Sequence, residues 1–306
     1  MAREISGLGR EMAEPVAETR SLVAGDGVSL AYRFFPARAE NVRASVVYLH
    51  GIQSHGGWYV HTAAELARRG YSVYLLDRRG SGVSGGRKGF FSGWDQLIDD
   101  VRKFVDLARR DSPARPTFLI GGCWGARPAV AFALRGEREL AGLALVCPAI
   151  KVRVDLPLRD KLKVVVGHVL FPEWPVRIPL TPEMFTSNPS YVEFVRTDPL
   201  SLSHVTARFF FETLRSSRFL AQPPSLALPM LLMQAGSDPI VDVPAVQRWF
   251  DGMASSARKS VLYPSFGHIL DFEQERQRYW DDLVAWLDET VGETPLEQPD
   301  EERPVP

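Results

Sequence analysis

The stretch LIGGCWGARPA, residues 119–129, decides how this chain is read. The run TFLIGG (117–122) is apolar and short enough for a buried strand, and WGARPAVAFAL (124–134) has the composition of a helix that leaves at once. Between them stands Cys123, with Gly121 two residues before it and Gly125 two residues after. Glycine is needed at both places if strand and helix close on each other around a sharp turn, because a Cβ would meet the facing backbone. Such a turn exposes the intervening side chain at the sheet edge, and the helix start behind it favours negative charge. A thiol so placed, beside a histidine, forms a thiolate that attacks acyl carbon strongly. The plainer reading is a small buried cysteine in a strand-turn-helix unit.

Two other patterns compete. GVSGG (82–86) is a literal G-x-S-x-G, and GSGVSG (80–85) spells the dinucleotide pattern G-x-G-x-x-G. Both follow a strand, but the next residues, GRKGFFSGW (86–94), form a Gly- and Lys-rich loop, and helical periodicity resumes only near Trp94. A phosphate-binding turn needs a helix start against the pyrophosphate, and a nucleophile elbow needs its helix immediately. Ser84 is therefore expected in a glycine-rich framework loop.

Outward from the elbow, apolar runs alternate with helical periods, as in a mostly parallel sheet covered by helices. SLVAGDGVSLAYRFF (21–35) reads as an opening hairpin, and ASVVYLH (44–50) and YSVYLLD (71–77) as buried strands around the helix HTAAELARRG (61–70). WDQLIDDVRKFVDLARR (94–110) is amphipathic, with apolar residues at 97, 98, 101, 104, 105 and 108. LAGLALVCPAI (140–150), PMLLMQAGSD (229–238) and KSVLYPS (259–265) supply further strands. The expected fold is α/β, about eight strands in all, with 21–150 and 226–292 forming the core. Residues 151–225 are rich in Pro and aromatics, as in LFPEWPVRIPLTPEMF (170–185), and read as an inserted helical cap without a convincing central strand. Residues 1–20 and the acidic, Pro-rich 293–306 are polar and are expected to be disordered.

A nucleophile needs a base and a group to orient that base, and the order that accompanies such an elbow is nucleophile, acid, histidine. LLMQAGSDPIVD (231–242) offers Asp238 at a strand end, with Asp242 as the alternative if Asp238 only caps the next helix. LYPSFGHIL (262–270) offers His268; the other histidines after Cys123, His168 and His204, fall in the cap. In YLHGIQ (48–53), His50 and Gly51 close a strand and leave the Ile52 N–H to pair with the Trp124 N–H as an oxyanion site.

A net charge of −1 over 306 residues, without a basic block, argues against nucleic acid and anionic surfaces as partners. Two cysteines, Cys123 and Cys147, make no disulfide framework, and no run suits a secretory signal or a membrane span, so a cytoplasmic location is expected. Oligomeric state is unreadable from these features.

With these residues placed, the chain resembles, from about 21 to 290, the monoacylglycerol lipase and lysophospholipase branch of the α/β-hydrolases, also called the serine aminopeptidase group. YLHGIQSHGGWY (48–59) is similar to its oxyanion segment, LLDRRGSGVSGG (75–86) to its Asp-Arg-Gly loop, TDPLSLSHVTARFFFETL (197–214) to its cap, and GSDPIVD (236–242) and Gly267-His268 to its acid and histidine segments. Where members usually carry Gly-His-Ser-Met-Gly-Gly, this chain has Gly121, Gly122, Cys123, Trp124, Gly125 and Ala126, and Gln53 ends its HGxG element. The resemblance implies attack on an ester or thioester, with Cys123 as nucleophile, His268 as base then acid, Asp238 orienting the imidazole, and no metal or cofactor. The implied partner is an apolar small-molecule acyl substrate. Cysteine also suits transfer of the acyl group to another thiol or amine, and the exchanged residues allow a third reading, a binding protein on a hydrolase scaffold. The FFF and VLFPEWP segments of the cap either line an acyl pocket or pack the cap on the core.

Overall fold

The computed structural model describes residues 17–38, 42–255 and 257–293. The chain enters through an antiparallel hairpin, β1 (Glu18–Val23) and β2 (Ser29–Phe35). The next four strands are β3 (Ala44–Leu49), β4 (Tyr71–Leu76), β5 (Thr117–Gly122) and β6 (Gly142–Val146), buried at every position. Continuous burial is the mark of parallel strands covered on both faces. After an excursion that carries the short strands β7 (Pro175–Arg177) and β8 (His204–Thr206), the sheet resumes with β9 (Met230–Ala235) and β10 (Arg258–Tyr263). The order is β1-β2-β4-β3-β5-β6-β9-β10, parallel from β4 to β10, with β2 antiparallel to β4. β5 thus lies between β3 and β6, and its C-terminal end opens at mid-sheet.

Three crossover helices, α1 (Val60–Arg68), α2 (Trp94–Asp111) and α3 (Ala126–Gly136), connect the early parallel strands. The apolar face read from periodicity in α2 is the buried one: Leu97, Ile98, Val101, Phe104, Val105 and Ala108 all face inward. Between β6 and β9 the chain forms α4 (Leu158–Leu170), α5 (Pro189–Thr197) and α6 (Ala207–Phe219). The last two helices are α7 (Val243–Asp251) and α8 (Arg276–Glu293). Among the described residues, no helix is long and apolar enough to cross a membrane.

The structure departs from the sequence reading in two places. The hairpin starts at Glu18, inside the span expected to be disordered; the rest of that span, 1–16, and residues 294–306 lie outside the described residues. The segment between β6 and β9, read as a helical cap without a convincing central strand, also holds a two-stranded ribbon off the main sheet, Val176 opposite Val205. Three-residue strands are too short to express alternation in sequence.

The glycines around Cys123 hold β5, α3 and β3 together. A Cβ on Gly121 would stand 2.6 Å from the Ala126 Cα, and one on Gly125 would stand 2.3 Å from the Leu49 carbonyl oxygen and 2.6 Å from that of His50. These obstacles are backbone and cannot rotate away. Gly125→Ala should therefore lower the melting temperature measurably, by an overpacking cost of about 1–3 kcal/mol or more. Gly25→Ala, whose Cβ meets nothing within 4 Å, should leave it unchanged; equal melting temperatures for the two variants would refute the close-approach argument.

Candidate active site

Cys123 sits where β5 ends and a short turn of 3-10 helix, Cys123–Gly125, feeds α3. Its φ is +51°, a left-handed conformation that costs a residue with a Cβ roughly 1–2 kcal/mol. Such strain persists only where the surroundings fix it. Here the fixing contacts are the glycine approaches above and the Cys123 carbonyl, which accepts the Ala149 N–H at 2.9 Å. The thiol is 4% exposed.

Asp238 follows β9, and His268 follows β10. One Asp238 oxygen accepts the Ile240 and Val241 N–H groups at 2.8 and 3.0 Å; the other accepts His268 Nδ1–H at 2.7 Å. The carboxylate is thus locked by its own turn before it meets the ring. Asp242, the alternative acid, does something else: it caps α7 by accepting the Ala245 N–H at 3.1 Å. With Nδ1 committed to Asp238, the buried Nε2 of His268 forms no aligned hydrogen bond, yet Cys123 is close enough to act on the ring's charge. Burial alone would depress the imidazole's proton affinity; the Asp238 charge and then Cys123 outweigh it, and the net shift is upward. His168 stacks on Phe211 at 3.6 Å and His204 pairs with Ser203, so neither shares this network.

The Gly51 segment closes against the other side of the cysteine. A Cβ on Gly51 would lie 3.1 Å from the Cys123 Cβ and 3.3 Å from its sulfur, so a side chain there would crowd the thiol. Among the described residues the Ile52 N–H meets no acceptor. The Trp124 N–H lies in the first helical turn, where backbone donors lack intrahelical partners. The Trp124 ring packs on Phe209 of α6 at 4.7 Å and on Trp94 and Phe91 at 5.9 Å, and its Nε1–H reaches Thr213 at 3.1 Å. Phe209 and Phe210 of the FFF segment are buried, whereas Val169, Leu170, Phe171 and Trp174 of VLFPEWP are exposed.

Ser84 stands in the framework loop. Its hydroxyl donates to the Asp77 carbonyl at 2.5 Å and accepts the Ala31 N–H at 2.7 Å, tying the loop to β2. Asp77 holds the same loop by accepting from Arg33, Gly56 N–H and Val83 N–H, and Gly82, at φ +52°, leaves the space its carboxylate fills.

Three residues near the site escaped sequence reading. Cys147 follows β6 at φ +43°, and its sulfur, an Asp238 oxygen and a His268 nitrogen lie within 4.8 Å of one another. This group has metal-ligand chemistry, but burial raises the Cys147 thiol well above its ordinary range, and the other two atoms are already bonded to each other. Arg78 and Arg127 are buried without a carboxylate partner among the described residues. Burial depends on three-dimensional packing, so no local sequence pattern could have marked them.

Against known proteins, residues 40–275 match the serine aminopeptidase, S33, family. A monoacylglycerol lipase of Mycolicibacterium smegmatis is 28% identical over 250 residues, covering 80% of this chain and 88% of that protein. An uncharacterized abhydrolase domain-containing protein of Dictyostelium discoideum is 24% identical over 91% of this chain, which spans 30% of that longer protein. A soluble variant of monoglyceride lipase from Saccharomyces cerevisiae, solved with a substrate analog, superposes with a TM-score of 0.82 at 21% identity, covering 91% of this chain and 97% of that one. The sheet order, the elbow and the family match converge: this chain belongs to the serine aminopeptidase S33 family, in the monoacylglycerol lipase branch of the α/β-hydrolases.

Proposed function

We propose that this protein hydrolyses carboxylic esters of apolar acyl groups through a covalent acyl-cysteine. The observation that carries the reading is the left-handed Cys123 at the strand-helix elbow, with the locked Asp238–His268 pair beside it. In this reading the Cys123 thiol gives its proton to His268 Nε2 as the sulfur attacks the ester carbonyl, and the Ile52 and Trp124 N–H groups hold the oxyanion. The tetrahedral intermediate collapses as His268 gives its Nε2 proton to the departing alkoxide, leaving a thioester on Cys123. A water that loses its proton to Nε2 then attacks the thioester carbonyl, the thiolate departs, and the carboxylic acid leaves. Asp238 keeps the proton on Nδ1 throughout. Transfer to a thiol or amine is the second reading, favoured by the slight exposure of Cys123 beside an aromatic wall that limits water.

The cap supports a lipid as the acyl source. Of the fifteen large apolar side chains exposed among the described residues, eight lie between 158 and 174. Leu158, Leu162, Val165 and Val169 fall at helical spacing on one stripe of α4, continued by Leu170 and Phe171. Single exposed apolar residues need no explanation, but a contiguous stripe does. Its opposite face is pinned inward through Val164 and through Gly167, where a Cβ would stand 2.7 Å from the Ala207 Cβ. A monoacylglycerol, with one chain and a small polar head, matches the relative's substrate and this surface together.

Steady-state hydrolysis of a short p-nitrophenyl ester and of a long-chain monoacylglycerol tests the site. Cys123→Ala and His268→Ala should each lose about 10⁴-fold or more in kcat, and Asp238→Asn about 10² to 10⁴-fold. Asp242→Ala should cost only its cap, about 1 kcal/mol of stability, with kcat within about threefold of wild type. Full turnover in Cys123→Ala would dismiss the nucleophile, and product carried only by an added thiol or amine would select transfer. No turnover by the wild-type chain on either substrate, or on acyl thioesters, would favour a binding protein.

The cap carries its own prediction. A Val169→Glu, Phe171→Glu double variant should lose co-sedimentation with phosphatidylcholine vesicles and slow hydrolysis of emulsified monoacylglycerol. It should keep its rate on soluble p-nitrophenyl acetate. Equal rates on emulsified substrate for variant and wild type would refute the role of the stripe.

A further inference from the structure

Around the loop after β4, the buried charges among the described residues are matched with one exception. Asp77 takes Arg33 at 3.0 Å, and Arg79 takes Asp26 and Asp100 at 2.9 and 2.5 Å. Arg78, between them in sequence and 9% exposed, donates only to neutral groups among the described residues. Its Nη1–H reaches the Gly51 carbonyl at 3.0 Å, and Nη2–H reaches the Ile52 carbonyl at 3.2 Å and the Ser81 hydroxyl at 2.7 Å. The guanidinium lies over the Trp124 and Phe209 rings, 4.8 and 5.2 Å from their centroids. Burial lowers its pKa to about 9, against the opposing influence of Cys123 and Asp77, so the charge survives at pH 7. A buried cation without a counter-ion is costly, and its position calls for a compensating role.

That role follows from the peptide it grips. No peptide bond here is cis, so the Gly51 C=O and the Ile52 N–H point in opposite directions from one planar unit. The Gly51 oxygen takes two donors, Arg78 Nη1–H and His50 Nδ1–H, the latter at 2.8 Å. His50 Nε2 in turn accepts the Arg78 backbone N–H at 2.9 Å, which fixes the neutral Nδ1–H tautomer. With its carbonyl held on the Arg78 side, the peptide must aim the Ile52 N–H away from Arg78. Trp124, under the same guanidinium, supplies the second oxyanion donor.

We propose that Arg78 is a positioning residue for the oxyanion site: it clamps the Gly51 and Ile52 carbonyls and backs the Trp124 ring, aiming the Ile52 N–H and keeping a positive charge behind the developing oxyanion. The inference rests on the acyl-cysteine reading above.

Two rates separate this role from a general effect on the thiol. Ester hydrolysis builds an oxyanion, whereas carbamidomethylation of Cys123 by iodoacetamide, followed by peptide mass, displaces iodide at a saturated carbon and builds none. For Arg78→Gln, kcat on the short ester should fall about 10²-fold, in the range seen when one oxyanion donor is lost. KM should stay within about threefold, the alkylation rate, which loss of the nearby charge also slows, should fall by no more than about tenfold, and Arg78→Lys, which keeps charge without the fork, should recover part of kcat. Unchanged kcat in Arg78→Gln, or kcat and alkylation falling in parallel in both variants, would overturn the proposal. Should Arg78→Gln fail to fold by circular dichroism, Arg78→Lys carries the test through the same comparison of rates. Wild-type turnover that survives complete alkylation of Cys123 would instead sink the nucleophile reading, independently of Arg78.

Discussion

The structure depends on a contact that admits no side chain: the backbone of Gly125 against the carbonyls of Leu49 and His50, where a Cβ would sit at 2.3 and 2.6 Å. That approach draws α3 onto the end of β3, and Gly121 draws the same helix onto β5. Between the two, Cys123 takes the left-handed φ of +51°. Gly51, at the tip of β3, then brings its backbone within van der Waals reach of the sulfur. The placing of Cys123, of the Gly51–Ile52 segment and of the helix start follows from three glycines and from strand order, before any hydrogen bond between side chains is counted.

Charge is distributed around this elbow in two ways. Asp77, Arg79 and Asp238 are each held by several partners, which keeps loops in place at little risk, since a buried charge with good geometry is tolerated. Arg78 and Arg127 are different, because their donors end on carbonyls and hydroxyls. Arg127 joins α3 to the Ala149 carbonyl at 2.8 Å and to Ser216 and Ser217 of α6 at 2.6 and 3.0 Å, a bond between the elbow helix and the segment that roofs it. Truncating such a group strands several buried acceptors at once, so its effect should exceed that of any one hydrogen bond.

Strand count, helix faces and the elbow were legible in sequence because each is a local pattern: continuous apolar runs, a period of 3.6, and glycine at fixed offsets. Ser84 could be set aside because no helix follows it, and its hydroxyl indeed ties the loop to β2. Asp238 is preferred to Asp242 in sequence because it leaves the strand end directly; geometry adds that Asp238 bonds His268 while Asp242 caps the next helix. Arg78 does not stand out in sequence because its neighbours are also charged, and what sets it apart is that no carboxylate among the described residues pairs with it. The exposed stripe on α4 was equally hidden, since an apolar helix of that composition packs inward in most settings. The ribbon β7–β8 carried too few residues to leave a pattern.

The central claim is that Cys123 carries the acyl group. Intact-mass spectrometry of the whole protein, quenched in acid during turnover of a p-nitrophenyl ester, tests it most directly. The account predicts a mass increase of one acyl group, mapped by peptide analysis to the segment holding Cys123 and absent from Cys123→Ala. An acyl adduct on Ser84, or turnover by Cys123→Ala at the wild-type rate, would contradict it.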